Sequence, residues 1–294
     1  MAELPNLKIN VPTVVSKERK FLNDKEISEK RKLFREKLKN QYLNLLIVGQ
    51  NGTGKTGLAL SFLSKLPKKK MIIDLDGGCI KLIRAFYPND ESIEVYDVMD
   101  EDKYYKDENG IYTVNSSGYF YDYQKILTEI LSLIGYCHKH KDEYSGICFD
   151  GISIFLKFCE YLMKDEKHLD AMGSFNQQYW KLRYKYFSET MQSLRAVPIH
   201  RIYIGHDDMI TKEDSTLVRK NFNDRIDERI ITKRIKNINS VVFTGEIDKV
   251  KGKPIKEGRK FTFLKVNPEN YVWSCDEIFK EICEMGVNIG EKNE

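Results

Sequence analysis

The stretch LLIVGQNGTGKTGLAL, residues 45–60, runs from an apolar segment through a glycine-rich turn into a helix-like pattern, and this order constrains the fold more than any other feature. Gly49, Gln50, Asn51, Gly52, Thr53, Gly54, Lys55, Thr56 and Gly57 carry the spacing G-x-x-x-x-G-K-T between a strand and a helix. In that setting glycines let backbone N–H groups curl around phosphate oxygens, and the N-terminus of the next helix adds partial positive charge. Lys55 is expected to reach the β- and γ-phosphates, and the Thr56 hydroxyl to ligate magnesium. The expected ligands are therefore ATP and Mg²⁺. The competing structural reading is a glycine turn with a surface lysine.

From Leu43 onward, short aliphatic runs alternate with helical stretches, the pattern of a mostly parallel α/β sheet flanked by helices. Strands are predicted near 44–49, 70–76, 92–97, 146–150, 200–205 and 240–246, with a charged antiparallel pair near 245–265. Helices are predicted over 54–65, 78–86, 121–140, 151–164 and 174–195. Residues 1–40 read as an N-terminal arm whose 17–40 segment is a basic amphipathic helix. Residues 41–270 read as the core and 271–294 as a C-terminal helix and tail. Within the core, the tyrosine-rich 100–123 reads as a surface excursion and 207–236 as a basic loop.

Composition narrows the partners. A 41% hydrophobic content suffices for a sizeable core, and a net charge of +4 leans weakly towards anions. The six cysteines include no C-x-x-C pair, which fits a reducing cytoplasm and argues against zinc. No apolar run approaches the roughly 20 residues that span a bilayer, and the N-terminal residues lack the apolar core of a signal peptide.

A phosphate-bound magnesium needs a carboxylate at a neighbouring strand end. Asp150, directly after Ile147-Cys148-Phe149, is the candidate metal ligand. In MIIDLDGG, residues 71–78, Asp74 and Asp76 end the strand after the phosphate loop, where either could serve as a base or cap the following helix. A further strand, 200–205, ends at His206.

The order of phosphate loop, acidic strand end, Asp150 and His206 resembles the RecA-like ATPase superfamily over roughly residues 40–268. The resemblance implies that Asp76 takes the catalytic-acid position, with Asp standing where the family has Glu. It also implies that His206 senses the γ-phosphate. The IDxDGG stretch and the strand ending in GH are similar to phage- and virus-type RecA-like ATPases of single-strand annealing and recombination. The wider RecA likeness implies a DNA-tracking loop after His206, where Arg219, Lys220, Arg225, Arg229, Lys233 and Arg234 lie. Such cations would bind single-stranded DNA with steep salt dependence; a solvated loop of mixed charge is the alternative. Lys265, ending a late strand, matches the lysine that reaches a neighbour's ATP, which implies a homo-oligomer, ring or filament.

The aromatic and basic run YWKLRYKYF, 179–187, could stack bases, but its helical spacing favours packing. Other uses of a phosphate loop stay open: a nucleotide or small-molecule kinase, a DNA-packaging or helicase motor, and a nucleotide-gated scaffold with little hydrolysis.

Overall fold

A strand whose residues are apolar on both faces can be buried only in a sheet covered on both sides. NLLIVG and YSGICFD are such segments. The computed structural model describes residues 23–39, 42–170, 173–174, 177–206, 222, 226–237, 240–250, 257–266 and 273–283. Its strands are β1 (Asn44–Gly49), β2 (Lys69–Asp74), β3 (Ile93–Asp97), β4 (Tyr144–Asp150), β5 (His200–His206), β6 (Glu228–Lys236), β7 (Val241–Val250) and β8 (Lys260–Val266). They form one sheet in the order β3-β2-β4-β5-β1-β6-β7-β8. Pairing is parallel from β3 across to β6. It turns antiparallel at β6–β7 and β7–β8. The result is a mostly parallel sheet that ends in antiparallel strands, as the sequence pattern led one to expect.

The helices are α1 (Asp24–Lys39), α2 (Lys55–Leu63), α3 (Cys79–Phe86), α4 (Tyr123–Lys139), α5 (Ile152–Glu166), α6 (Trp180–Ala196) and α7 (Asp276–Cys283). Alternation along the strands sorts the core into two layers. Leu46, Val48, Ile73 and Phe149 face α4, α5 and α6 through Ile126, Phe155 and Phe187. Leu45, Ile47, Ile72 and Ile204 face α2 and α7 through Leu58, Phe62 and Ile278. The described residues 23–39 belong to a unit of their own. Within it, α1 opens on a reciprocal cap: Glu26 N–H donates to Asn23 Oδ1 at 2.9 Å, and Asn23 N–H donates to Glu26 Oε2 at 2.8 Å.

The structure departs from the sequence expectations in three places. First, β2 ends at Asp74, so Asp76 lies beyond the strand in the turn before α3. Second, the stretch expected as a basic loop through residue 236 becomes β6 from Glu228. Its charges are tolerated because they meet opposite charges across the ladder: Arg229 pairs with Asp248, and Lys233 with Glu246. Third, the 100–123 excursion is not wholly superficial. Two isolated bridges, Tyr104↔Tyr121 and Lys106↔Tyr112, fold it on itself, while Tyr119 is buried in the core.

The excursion is anchored at Lys103, which is 2% exposed. Its ammonium lies 2.8 Å from Asp100 and 2.7 Å from Glu129 on α4. Burial alone would lower its pKa, but these carboxylates outweigh that penalty and raise it. Lys103→Ala is expected to cost about 2 kcal/mol in denaturant unfolding. That is less than the ~3–5 kcal/mol for breaking a fully buried pair, because the carboxylates left behind reach water.

Candidate nucleotide site

Parallel register carries the ends of β1, β2, β4, β5 and β6 to one edge of the sheet. Gly49 stands opposite His206 on one side and Thr232 on the other. Asp74 stands opposite Asp150. The glycine-rich turn leaves β1 at this edge and closes into α2, as the sequence motif requires. Gly54 caps α2 with φ 82°, a left-handed conformation that costs glycine nothing and other residues strain. Lys55 Nζ donates to the Gln50 carbonyl at 2.9 Å, and Thr53 Oγ1 donates to the same oxygen at 2.8 Å. Both bonds hold the loop curled.

Thr56 and Asp150 meet here. The Thr56 hydroxyl donates to Asp150 Oδ2 at 2.9 Å, bringing two oxygen atoms together where the loop enters α2. Asp150 is 1% exposed. Burial and the adjacent Asp74 carboxylate push its carboxyl up to about 6, against the lowering effect of hydrogen bonds from Thr56 and Cys79. A buried carboxylate in this state gains from a nearby cation, and hard oxygen donors suit magnesium. Asp74, Cys79 and Asp150 also offer ligand atoms within 4.8 Å of one another, a grouping that the absence of C-x-x-C pairs did not reveal.

Asp74 and Asp76 are now distinguishable. Asp74 is fully buried, and its oxygens accept the N–H groups of Asp76, Gly77 and Cys79 at 2.9–3.0 Å. It therefore fixes the start of α3, the capping reading of this pair. Asp76 is exposed. His206 is the last residue of β5, half-buried, and its backbone N–H donates to Ser153 Oγ at 2.7 Å.

The expected nucleic-acid residues divide. Arg219, Lys220 and Arg225 lie outside the described residues. Arg229, Lys233 and Arg234 belong to β6 and not to a loop. Arg234 turns towards the phosphate loop: its Nη1 lies 3.9 Å from the place a β-carbon on Gly52 would take. Its guanidinium lies 5.7 Å from the centre of the Phe243 ring. Lys265 lies in β8, separated from β1 by β6 and β7 and in register with Val242. Tyr179–Phe187 opens α6, where Arg183 and Phe187 are buried, so this helix uses its aromatics for packing.

Two contributors were missed. Thr232 is buried beside the loop; its hydroxyl lies 2.8 Å from Thr53 Oγ1 and 3.2 Å from the Val48 carbonyl. Trp273 lies against the start of α2, with ring atoms 2.7 Å from where a β-carbon on Gly57 would stand. Phe243 and Phe263 surround the indole, with ring centres 5.5 Å and 5.9 Å from it. The only sequence signal for Trp273 was Gly57 itself, a residue with no side chain at the foot of the loop. Thr232 had none beyond lying in a run of alternating charge.

A protein-family model described as an AAA domain matches residues 41–272. No curated protein matches the sequence. Among solved structures, the chain is similar to a KaiC-like protein from the hyperthermophilic archaeon Pyrococcus horikoshii, with 14% identity and a TM-score of 0.46. That match covers 78% of this chain and 88% of the other. It is also similar to a RadB recombinase, with 15% identity and a TM-score of 0.42, covering 74% of this chain and 86% of that one. Among the described residues, no helix is long and apolar enough to cross a membrane.

Thr232→Val removes the hydroxyl while keeping the side-chain shape. It leaves Thr53 short of a partner and is expected to lower stability by about 1–2 kcal/mol. Denaturant unfolding measures that loss, and an unchanged midpoint would show that the contact does not hold the loop.

Proposed function

The chain belongs to the AAA-domain family, and on that premise we propose that it is a Mg²⁺-dependent RecA-like ATPase that assembles as a homo-oligomer on single-stranded DNA. The observation that carries the ATPase reading is the convergence of Thr56 and Asp150, 2.9 Å apart, at a curled G-x-x-x-x-G-K-T loop. Backbone N–H groups of residues 50–56 and Lys55 would hold the phosphates. Thr56 would ligate the magnesium and Asp150 would hold it, directly or through water. Bound there, the ion supplies charge neutralisation across the phosphates.

In this reading the bond between the γ-phosphorus and the bridging oxygen of ADP breaks as a water oxygen bonds to phosphorus. Asp76 orients that water and takes its proton. What supports Asp76 over Asp74 is occupancy: three backbone N–H groups already use the oxygens of the buried Asp74, which commits it to the start of α3, while Asp76 is exposed. An exposed Asp where RecA-like enzymes carry Glu has a shorter reach, which favours slow turnover. His206, across the register from Gly49, is proposed to report the state of the γ-phosphate to the residues that follow it.

The DNA reading rests on the basic segment after His206 and on the likeness to phage- and virus-type annealing and recombination ATPases. Its proposed contacts are Arg219, Lys220 and Arg225, since Arg229 and Lys233 already have carboxylate partners. Lys265 is proposed to reach the nucleotide of an adjacent subunit, and the cytoplasm is the proposed place of action.

ATP turnover measured with and without single-stranded DNA, together with particle size, tests the whole reading. DNA is expected to stimulate turnover and enlarge the particle. Turnover without DNA retention at low salt would remove the DNA reading, and phosphate transfer to an added nucleoside monophosphate would establish a kinase instead. Lys55→Ala should reduce turnover by about a hundredfold or more. For Asp76→Asn, ATP binding should persist while hydrolysis is lost; retained hydrolysis would move the base elsewhere.

A further inference from the structure

Strand β6 outruns its parallel neighbour. β1 ends at Gly49, opposite Thr232, but β6 continues through Lys236, so its last residues overhang the phosphate loop. Side chains alternate along a strand, so Thr232 and Arg234 share one face and Lys233 takes the other. The contacts agree: Thr232 meets Thr53 of the loop, Arg234 approaches Gly52, and Lys233 meets Glu246 on β7.

Two further facts separate Arg234 from an ordinary surface cation. Its guanidinium lies over the Phe243 ring, a cation–π arrangement that limits its conformational freedom. No carboxylate pairs with it among the described residues, although Arg229 and Lys233 on the same strand are both paired. A guanidinium brought up to Gly52 adds to the positive potential at the N-terminus of α2 and is placed to meet an anion held by the loop.

We propose that Arg234 grips the terminal phosphate of the nucleotide bound by its own subunit, and that it is a catalytic cation supplied in cis. This assignment rests on the ATPase reading of the loop. It replaces the expectation that Arg234 contacts nucleic acid. A five-donor planar guanidinium suits phosphate oxygens, and charge developing there in the transition state would be stabilised at the point where β6 overhangs the loop. ATP carries the group Arg234 would contact and ADP lacks it. The residue should therefore discriminate between the two.

The test compares ATP and ADP affinities, by calorimetry, and turnover for the full-length wild type, Arg234→Ala, Arg234→Gln and Lys233→Ala. In Arg234→Ala, ATP affinity should fall about tenfold relative to ADP, and turnover by about a hundredfold. Arg234→Gln keeps the side-chain length without the charge and should show the same loss, which preserves the test if the alanine variant does not fold. Lys233→Ala should match wild type. Mixing Arg234→Ala subunits with Lys55→Ala subunits should restore nothing; recovered turnover would mean that Arg234 serves a neighbour, and would overturn the assignment. A wild type that binds ATP, with both Arg234 variants keeping its ATP-to-ADP ratio and turnover, would overturn this inference alone. A wild type that binds no nucleotide would overturn the ATPase reading and this inference together.

Discussion

The phosphate loop depends on β1 being hydrogen-bonded to parallel strands on both sides. Because β5 and β6 flank it in register, Gly49 leaves the sheet between His206 and Thr232, and its exit direction is fixed before the loop begins. The loop and the start of α2 are then held by hydrogen bonds from two strands: Thr232 from one neighbour, and Asp150 from the strand beyond the other. Remove the parallel ladder and these groups, distant in sequence, have no reason to meet. The two apolar layers that bury the sheet stabilise chemistry at its edge by fixing register, since a one-residue slip would turn Leu45 and Ile47 towards the wrong helices.

The polar groups at that edge have separate tasks despite their similar chemistry. Asp74 and Asp150 are adjacent, buried carboxylates, but three backbone N–H groups satisfy the first, and a hydroxyl and a thiol approach the second. The first is committed to the start of α3. The second is held in a state that a divalent cation would improve. A pair of like charges so close would destabilise the fold if both were equally bare, and the unequal hydrogen bonding is what makes the pair tolerable.

Local features were legible in the sequence and distant contacts were not. The strand, turn and helix of residues 44–63 follow from apolar runs punctuated by glycine, and Asp150 followed from its place after Phe149. Helices α4 and α5 were located to within two residues at each end, whereas α6 begins six residues later than expected. By contrast, β6 was concealed because ERIITKRIK reads as a charged loop until Asp248 and Glu246 are brought alongside it. The same blindness hid the surroundings of Arg234, whose neighbours, Gly52 and Phe243, belong to a loop and a strand on either side of it in the chain. Asp76 was placed on a strand that in fact stops two residues earlier, because a carboxylate cap is indistinguishable in sequence from a strand end.

Trp273 gives the molecule one property that the polar groups at the sheet edge do not. The chain has two tryptophans, and Trp180 stands at the start of α6 with the Arg183 guanidinium over its ring. Trp273 instead touches the first turn of α2, and its ring is close enough to sense any change in the packing around Gly54 and Gly57. Indole emission shifts with the polarity and motion of its surroundings. The glycine-rich loop therefore carries an intrinsic optical probe against its exit into α2, and removing Trp180 would leave its signal unmixed.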